Sequence, residues 1–131
     1  MFENAKAFHG IGVDDLDAAR EFYGGTLGLT VMVVDEDNGL LSLELPDGGA
    51  TLLYLSPALT VGNYTVLNFS VEDIDATVDA LTARGVQFER YDDFDGQDDK
   101  GIMRGRSVGR GPDIAWFKDP AGHTLSVLQE G

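Results

Sequence analysis

Hydrophobic positions along this chain alternate between two rhythms, and the rhythms come in the same order in both halves. From Lys6 to Val13 apolar residues recur with a period of two, which predicts a strand with one buried face. Asp14 or Asp15 then offers a side-chain oxygen to cap a helix, and Leu16, Ala19 and Phe22/Tyr23 recur at helical spacing. Gly24-Gly25 ends or frays that helix. Val31-Met32-Val33-Val34 is a run rich in β-branched residues, and Asp37-Asn38-Gly39 is a hairpin turn signal. Leu40 to Leu45 predicts the next strand, Pro46-Asp47-Gly48-Gly49 the next turn and Thr51 to Leu55 the strand after it. The first half therefore reads β-α-β-β-β.

Ser56 to Asn63, with Pro57 and Gly62, breaks the pattern. A strand follows over Thr65 to Val71, then a helix from about Asp73 to Arg84 with Ile74, Val78 and Leu81 on one face and Gly85 closing it. Ile114 to Lys118, the turn Asp119-Pro120-Ala121-Gly122 and Thr124 to Gln129 complete the second half, after a polar stretch from Asp92 to Pro112. The second half copies the first. Val13-Asp14-Asp15-Leu16-Asp17-Ala18 returns as Val71-Glu72-Asp73-Ile74-Asp75-Ala76, an offset of 58 (71 − 13). Gly49 to Leu55 matches Gly122 to Leu128, an offset of 73 (122 − 49), and Leu27 to Val31 matches Arg84 to Phe88. Two copies of one supersecondary unit are expected within one domain: module 1 over about 5–56, a linker over about 57–63 and module 2 over about 64–131.

Alternation assigns the strand faces. Ile11 and Val13 share parity with Leu67, Phe69 and Val71 and should pack against the helices, whereas Phe8, Gly10 and Gly12, with Val66, Asn68 and Ser70, turn to the open side. Open faces of two such units are expected to form a concave surface for a small molecule.

Charge narrows the partners. Nine basic against 23 acidic residues give −14, a field that repels phosphates and anionic membrane, so neither nucleic acid nor membrane is expected. There is no cysteine, which removes disulfides, thiolate metal sites and cysteine nucleophiles. No apolar run reaches membrane-spanning length and Met1 to Ala7 lacks a secretion-signal layout, so the expected location is cytoplasmic.

Phe22-Tyr23 followed by Leu27-Gly28, and later Phe117-Lys118-Asp119-Pro120-Ala121-Gly122-His123, resemble the vicinal oxygen chelate superfamily. That group includes glyoxalase I, extradiol dioxygenases, epimerases, fosfomycin-modifying transferases and bleomycin-sequestering proteins. The resemblance spans nearly the whole chain. It implies an α+β fold in which two tandem βαβββ modules form an eight-stranded, cup-shaped mixed sheet with helices on the outer face, commonly in a homodimer. It also implies where a metal would sit in the metal-dependent members: on the first and last strand of each module, at Phe8, Leu53, Val66 and Ser126 here. A divalent ion needs oxygen or nitrogen donors, and one hydroxyl among three hydrocarbon side chains cannot hold it, so no metal or other cofactor is expected. His9 sits one residue from a ligand position and should point toward the helix layer as a hydrogen-bonded neutral side chain, unless a bulge at Gly10 or Gly12 turns it inward. His123 reads as a solvated turn residue.

The remaining candidates each have a plain structural alternative. Asp92, Asp93, Asp95, Asp98 and Asp99 around Gly96 do not match a calcium-loop spacing and read as a solvated acidic loop. Arg104 and Arg106 either neutralise those aspartates or border the cavity mouth and meet an anionic group. Trp116 is either core or an aromatic wall. Asn68 and Ser126 are the polar groups of correct parity and suit orientation of a ligand, since neither titrates near neutral pH.

The expected function is metal-independent binding of a small organic molecule by Phe8, Gly10, Leu53, Val66, Asn68, Trp116 and Ser126, as in the drug-sequestering branch of the superfamily. The alternatives are an enzyme (glyoxalase-like lyase, isomerase or dioxygenase) with a displaced metal, for which His9 is the discriminating residue, and a regulatory module whose cavity is filled by its own side chains.

Overall fold

The first alternating stretch forms strand β1 over His9–Val13. It is three residues shorter than predicted at its start because its one neighbour, β4 (Ala50–Leu55), begins opposite Phe8. The computed structural model describes residues 1–91 and 96–131. Asp15 caps helix α1 (Leu16–Arg20), its carboxylate accepting the Ala18 N–H at 3.0 Å. Instead of stopping at Gly24-Gly25, the helix widens into a π-helical turn, Glu21–Thr26, closed by Leu27 N–H donating to Phe22 C=O at 2.9 Å. Ala19 and Tyr23, four apart, are its buried side chains.

Strands β2 (Thr30–Asp35) and β3 (Leu40–Glu44) form the predicted hairpin. Its turn is held by Asp35, whose carboxylate accepts from both the side-chain amide and the backbone N–H of Asn38, and these two bonds hold its carboxyl below the usual range. The sheet order is β1-β4-β3-β2, with β1 parallel to β4 and the other pairs antiparallel.

The second module repeats this plan with β5 (Thr65–Ser70), α2 (Ile74–Ala83), β6 (Met103–Arg104), β7 (Asp113–Lys118) and β8 (Thr124–Gln129), in the order β5-β8-β7-β6. Asp73 caps α2 as Asp15 caps α1. At its other end Gly85 takes φ +92°, Gly85 N–H donates to Thr82 C=O and Val86 N–H to Leu81 C=O, so the helix closes in a Schellman motif where glycine was expected to end it. Ile74 and Val78 from α2 join Ile102, Ala115 and Val127 in a buried cluster, with Val71 and Phe88 packed against it. The fold is α+β, built from two βαβββ modules with four strands each. By contacts the chain forms two units, Met1–Thr60 and Val61–Gly131. Among the described residues no helix is long and apolar enough to cross a membrane.

Two expectations are corrected. Arg84 to Phe88 does not continue into a strand as Leu27 to Val31 does; Phe88 makes an isolated bridge to Phe117, and β7 takes β6 as its partner instead. The glycine match is also one residue out. Gly48 (φ +97°) and Gly122 (φ +98°) occupy the same place in their turns, Gly48 N–H donating to Leu45 C=O and Gly122 N–H to Asp119 C=O, both at 3.0 Å. The true offset is therefore 74 (122 − 48), and it carries β4 (Ala50–Leu55) onto β8 (Thr124–Gln129) without a gap. The helix starts keep the offset of 58 (Leu16 to Ile74), so module 2 holds 16 additional residues (74 − 58) between its helix and its last hairpin.

Candidate functional site

In module 2, strand register lines up side chains across the open face of the sheet. Asn68 on β5 pairs with Ser126 on β8, and Ser126 with Trp116 on β7, so these three stand in one row. Along the strands the next row is Ser70, Leu128 and Ile114. The opposite face, carrying Leu67, Leu125, Val127, Ala115 and Phe117, is buried. The Ser126 hydroxyl donates to Asn68 Oδ1; Ser126 is fully buried and Asn68 exposed. Trp116 is half-buried, with the Tyr91 ring edge-on to it at a centroid distance of 5.5 Å.

Gln97 holds that aromatic pair. Its side-chain oxygen accepts Tyr91 N–H at 2.8 Å, its amide donates to the carbonyls of Glu89 and Gly101 at 3.0 Å, and Glu89 N–H donates to the Trp116 carbonyl. Partial burial, with a smaller contribution from the Glu89 charge, pushes the Tyr91 phenol up. Tyr91 and Gln97 were not foreseen from sequence. They lie at the margin of a polar stretch without periodicity, where only the fold brings them to Trp116.

Module 1 presents a row of Gly10, Leu52, Ser42 and Met32, and beside it Gly12, Tyr54 and Leu40. A side chain at Gly10 would come within 3.3 Å of the Tyr54 ring, and one at Gly12 within 3.4 Å, so the two glycines seat that ring over β1. Gly10 is thus on the expected face but lies under Tyr54.

Several expected site residues stand elsewhere. Leu53 is in register with Ile11 and Leu41 and is fully buried on the side where α1 packs, opposite to the face of Gly10. The counterpart of Ser126 is Leu52, since Gly10 pairs with Leu52 as Asn68 pairs with Ser126. Phe8 precedes β1 and is 74 % exposed. Val66 is half-buried at a register shift between Thr65 and Leu67.

Arg104 does not border the open face. It pairs with Asp113 in the ladder and reaches the helix side, where it grips Asp75 at 2.7 and 2.9 Å and Asp98 at 2.7 Å. Arg106 is exposed and receives Asp113 twice: its backbone N–H donates to the carboxylate at 3.0 Å, and its guanidinium stands 3.9 Å away. Arg104 thus serves Asp98 of the acidic stretch together with Asp75 and Asp113, whereas Arg106 serves Asp113, which lies outside it. Of the proposed acidic loop, Asp92, Asp93 and Asp95 lie outside the described residues, while Asp98 accepts from the N–H groups of Lys100 and Ile102 and from Arg104.

His9 points to the side of Ile11 and meets the Thr51 hydroxyl through Nε2 at 3.1 Å. His123 is buried, not solvated, and its N–H donates to the buried Asp119 carboxylate at 2.8 Å. The donor set at the implied metal positions does not suit a divalent ion: Phe8, Val66 and either Leu52 or Leu53 carry no donor, and the Ser126 hydroxyl is spent on Asn68. Among the described residues, no three His, Asp or Glu side chains come together as a metal-binding group.

The arrangement can offer apolar and aromatic surface with a few fixed hydrogen-bonding groups. A search of curated proteins returned no match to the sequence. Among solved structures, a glyoxalase/dioxygenase from Nostoc punctiforme superposes with a TM-score of 0.70 at 18 % identity, covering 99 % of this chain and 94 % of its own. TnmS3, an antibiotic binding protein from Streptomyces sp. CB03234, gives 0.65 at 22 % identity with 98 % of each chain covered. The fosfomycin resistance protein FosX from Listeria monocytogenes gives 0.71 at 15 % identity, covering 98 % of this chain and 94 % of its own. At these identities the likeness is one of fold. Sequence itself carries the family: residues 7–127 match the family model of the Glyoxalase/Bleomycin resistance protein/Dioxygenase superfamily, and the chain belongs to that superfamily.

Proposed function

We propose that this chain is a metal-independent small-molecule binding protein whose ligand lies against the open face of the module 2 sheet. The observation that supports it is the row Asn68, Ser126 and Trp116, in which hydrogen-bonding groups stand beside an aromatic wall, while of the positions implied for a metal only Ser126 carries a polar atom and its hydroxyl is spent on Asn68. An antibiotic-binding relative of the same fold agrees with it.

Metal analysis of the purified protein is expected to give far less than one divalent ion per chain. A bound aromatic ligand at a hundred times its Kd is expected to add about 2.7 kcal/mol of stability. That gain should survive chelator and be accompanied by a change in the fluorescence of Trp116, the single tryptophan. A stoichiometric ion that vanishes in His9→Ala would sink the metal-free reading in favour of an enzyme with a displaced site.

We further propose that the protein is cytoplasmic and a homodimer, the latter as the family resemblance implies. Edge strand β2 leaves Met32 and Val34 more than half exposed, an apolar edge that self-association would cover. Light scattering is expected to give twice the 14.1 kDa chain mass. A monomer mass throughout the micromolar range would remove this part of the proposal.

A further inference from the structure

The bond between Ser126 and Asn68 has a direction, and the direction selects ligands. Ser126 is fully buried, and no buried side-chain nitrogen or oxygen among the described residues lacks a hydrogen-bond partner. Its hydroxyl has one proton to give and lone pairs to spare, and a buried proton without an acceptor costs more than an unused lone pair. The Asn68 amide is the group that receives it, through Oδ1. A carboxamide held by its oxygen must turn its NH₂ the other way. Asn68 is exposed, so those two N–H donors face the open side of the sheet. Lys118, exposed and two residues along β7 from Trp116, adds an ammonium on the same face, beside which the Ser70 hydroxyl is the group able to donate or accept.

We propose that Ser126 is a positioning residue that locks the Asn68 amide donor-outward, so that the site selects ligands carrying an sp² oxygen acceptor conjugated to an apolar ring. This rests on the ligand-binding reading above and deepens it by naming the ligand class. Trp116, in the same row, supplies the surface for the ring, and Asn68 Nδ2 donates to the oxygen. The −14 net charge disfavours an anionic ligand, which makes a neutral carbonyl the preferred acceptor.

The test uses a matched pair, 1-indanone and indane, titrated into ¹⁵N-labelled protein. The Asn68 side-chain amide is identified by its loss in Asn68→Asp. The ketone is expected to bind about fivefold more tightly than the hydrocarbon, as one hydrogen bond allows. It should shift both the Asn68 amide and the Trp116 indole resonances. Asn68→Asp, an exposed change to an acceptor-only side chain, is expected to abolish the preference. Ser126→Ala, which frees the amide to rotate, is expected to cut it below about twofold while the Trp116 shift persists. Equal affinities with Trp116 still shifting would overturn the donor-outward amide and leave the binding reading standing. Silence of Trp116 toward both compounds would overturn both. Full preference in a folded Ser126→Ala would remove the positioning role; should that variant not fold, Ser126→Cys, nearly isosteric but a weak donor, is read in the same way.

Discussion

Leu53→Ala is expected to lower the free energy of unfolding by about 3 kcal/mol, whereas Leu52→Ala costs about 1 kcal/mol or less. The two residues are chemically identical neighbours on β4, and their difference comes from the side of the sheet each faces. Leu53 is fully buried between Ile11 and Leu41 on the face that meets α1, where Ala19 and Tyr23 are buried. Truncation there removes three carbons and leaves a cavity whose walls relax only in part. Leu52 is half-exposed beside Gly10 and Ser42, so truncation removes less buried surface and leaves no void. Urea denaturation of the two variants measures the contrast directly. Equal losses would show that β4 is not registered with β1 as described.

That contrast also shows how far the sequence could be read. The duplicated plan was legible, because strand alternation, Asp caps and turn glycines are local signals that need no partner. The offset of 58 at the first strands and helices followed from the Val13/Val71 match and holds in the structure. The second offset failed by one residue because Gly48 and Gly49 are adjacent. Sequence does not say which of two glycines takes the positive φ; the hydrogen bonds of the turn choose Gly48. In a strand an error of one residue reverses the face, so Leu53 was placed on the open side where Leu52 stands.

Asn68 and Ser126 were found by parity and do meet, and Trp116 joins them through the β7–β8 register. Tyr91 and Gln97 were out of reach because the 16 extra residues of module 2 carry no periodicity. What places them is pairing at a distance, Phe88 with Phe117 and Gln97 with Met103. Arg104 was legible only as one of two alternatives. Its partner Asp98 lies in the acidic stretch nearby, but Asp75 lies on a helix 29 positions earlier and Asp113 on the strand opposite, and only the fold shows that it serves them.

Arg104→Gln is expected to destabilise the protein at pH 7 by about 1–3 kcal/mol, against less than about 0.5 kcal/mol for Arg106→Gln. Arg104 is the hub of a cluster in which Asp75 accepts two of its N–H groups, Asp98 accepts at 2.7 Å and Asp113 stands 3.7 Å away. Lys100 bridges Asp75 and Asp79 at 3.3 and 3.0 Å. Removing the guanidinium leaves Lys100 beside Asp75 and Asp79, Arg106 at 3.9 Å from Asp113, and Asp98 without its cation. Asp113, at 9 % side-chain exposure, has little water to replace the lost charge, whereas Asp75 at 46 % is well screened, which keeps the expected loss below that of a fully buried pair.

Acid supplies the check on mechanism. The Arg104 hydrogen bonds hold the Asp75 carboxyl down from 3.8 to about 2, against an opposing push from burial and with lesser help from Lys100. Asp98 is pushed up by part burial but lowered on balance by the N–H of Ile102, by Arg104 and by the N–H of Lys100. A depressed folded-state pKa means that the stabilisation is complete above the unfolded value and is lost as pH falls through the folded one. Wild type is therefore expected to lose this contribution between about pH 4 and pH 2. In Arg104→Gln the unpaired carboxylates repel, which raises their folded-state pKa values, so protonation relieves them at higher pH than the interval over which the wild type loses its stabilisation. The stability gap between the two proteins should close on acidification, and it should narrow at pH 7 in 1 M salt, where charges are screened within about 3 Å. A gap that stays constant from neutral to acid pH would mean that Arg104 acts through the packing of its alkyl stem, and that the charge cluster contributes nothing to holding the extra segment of module 2 on α2.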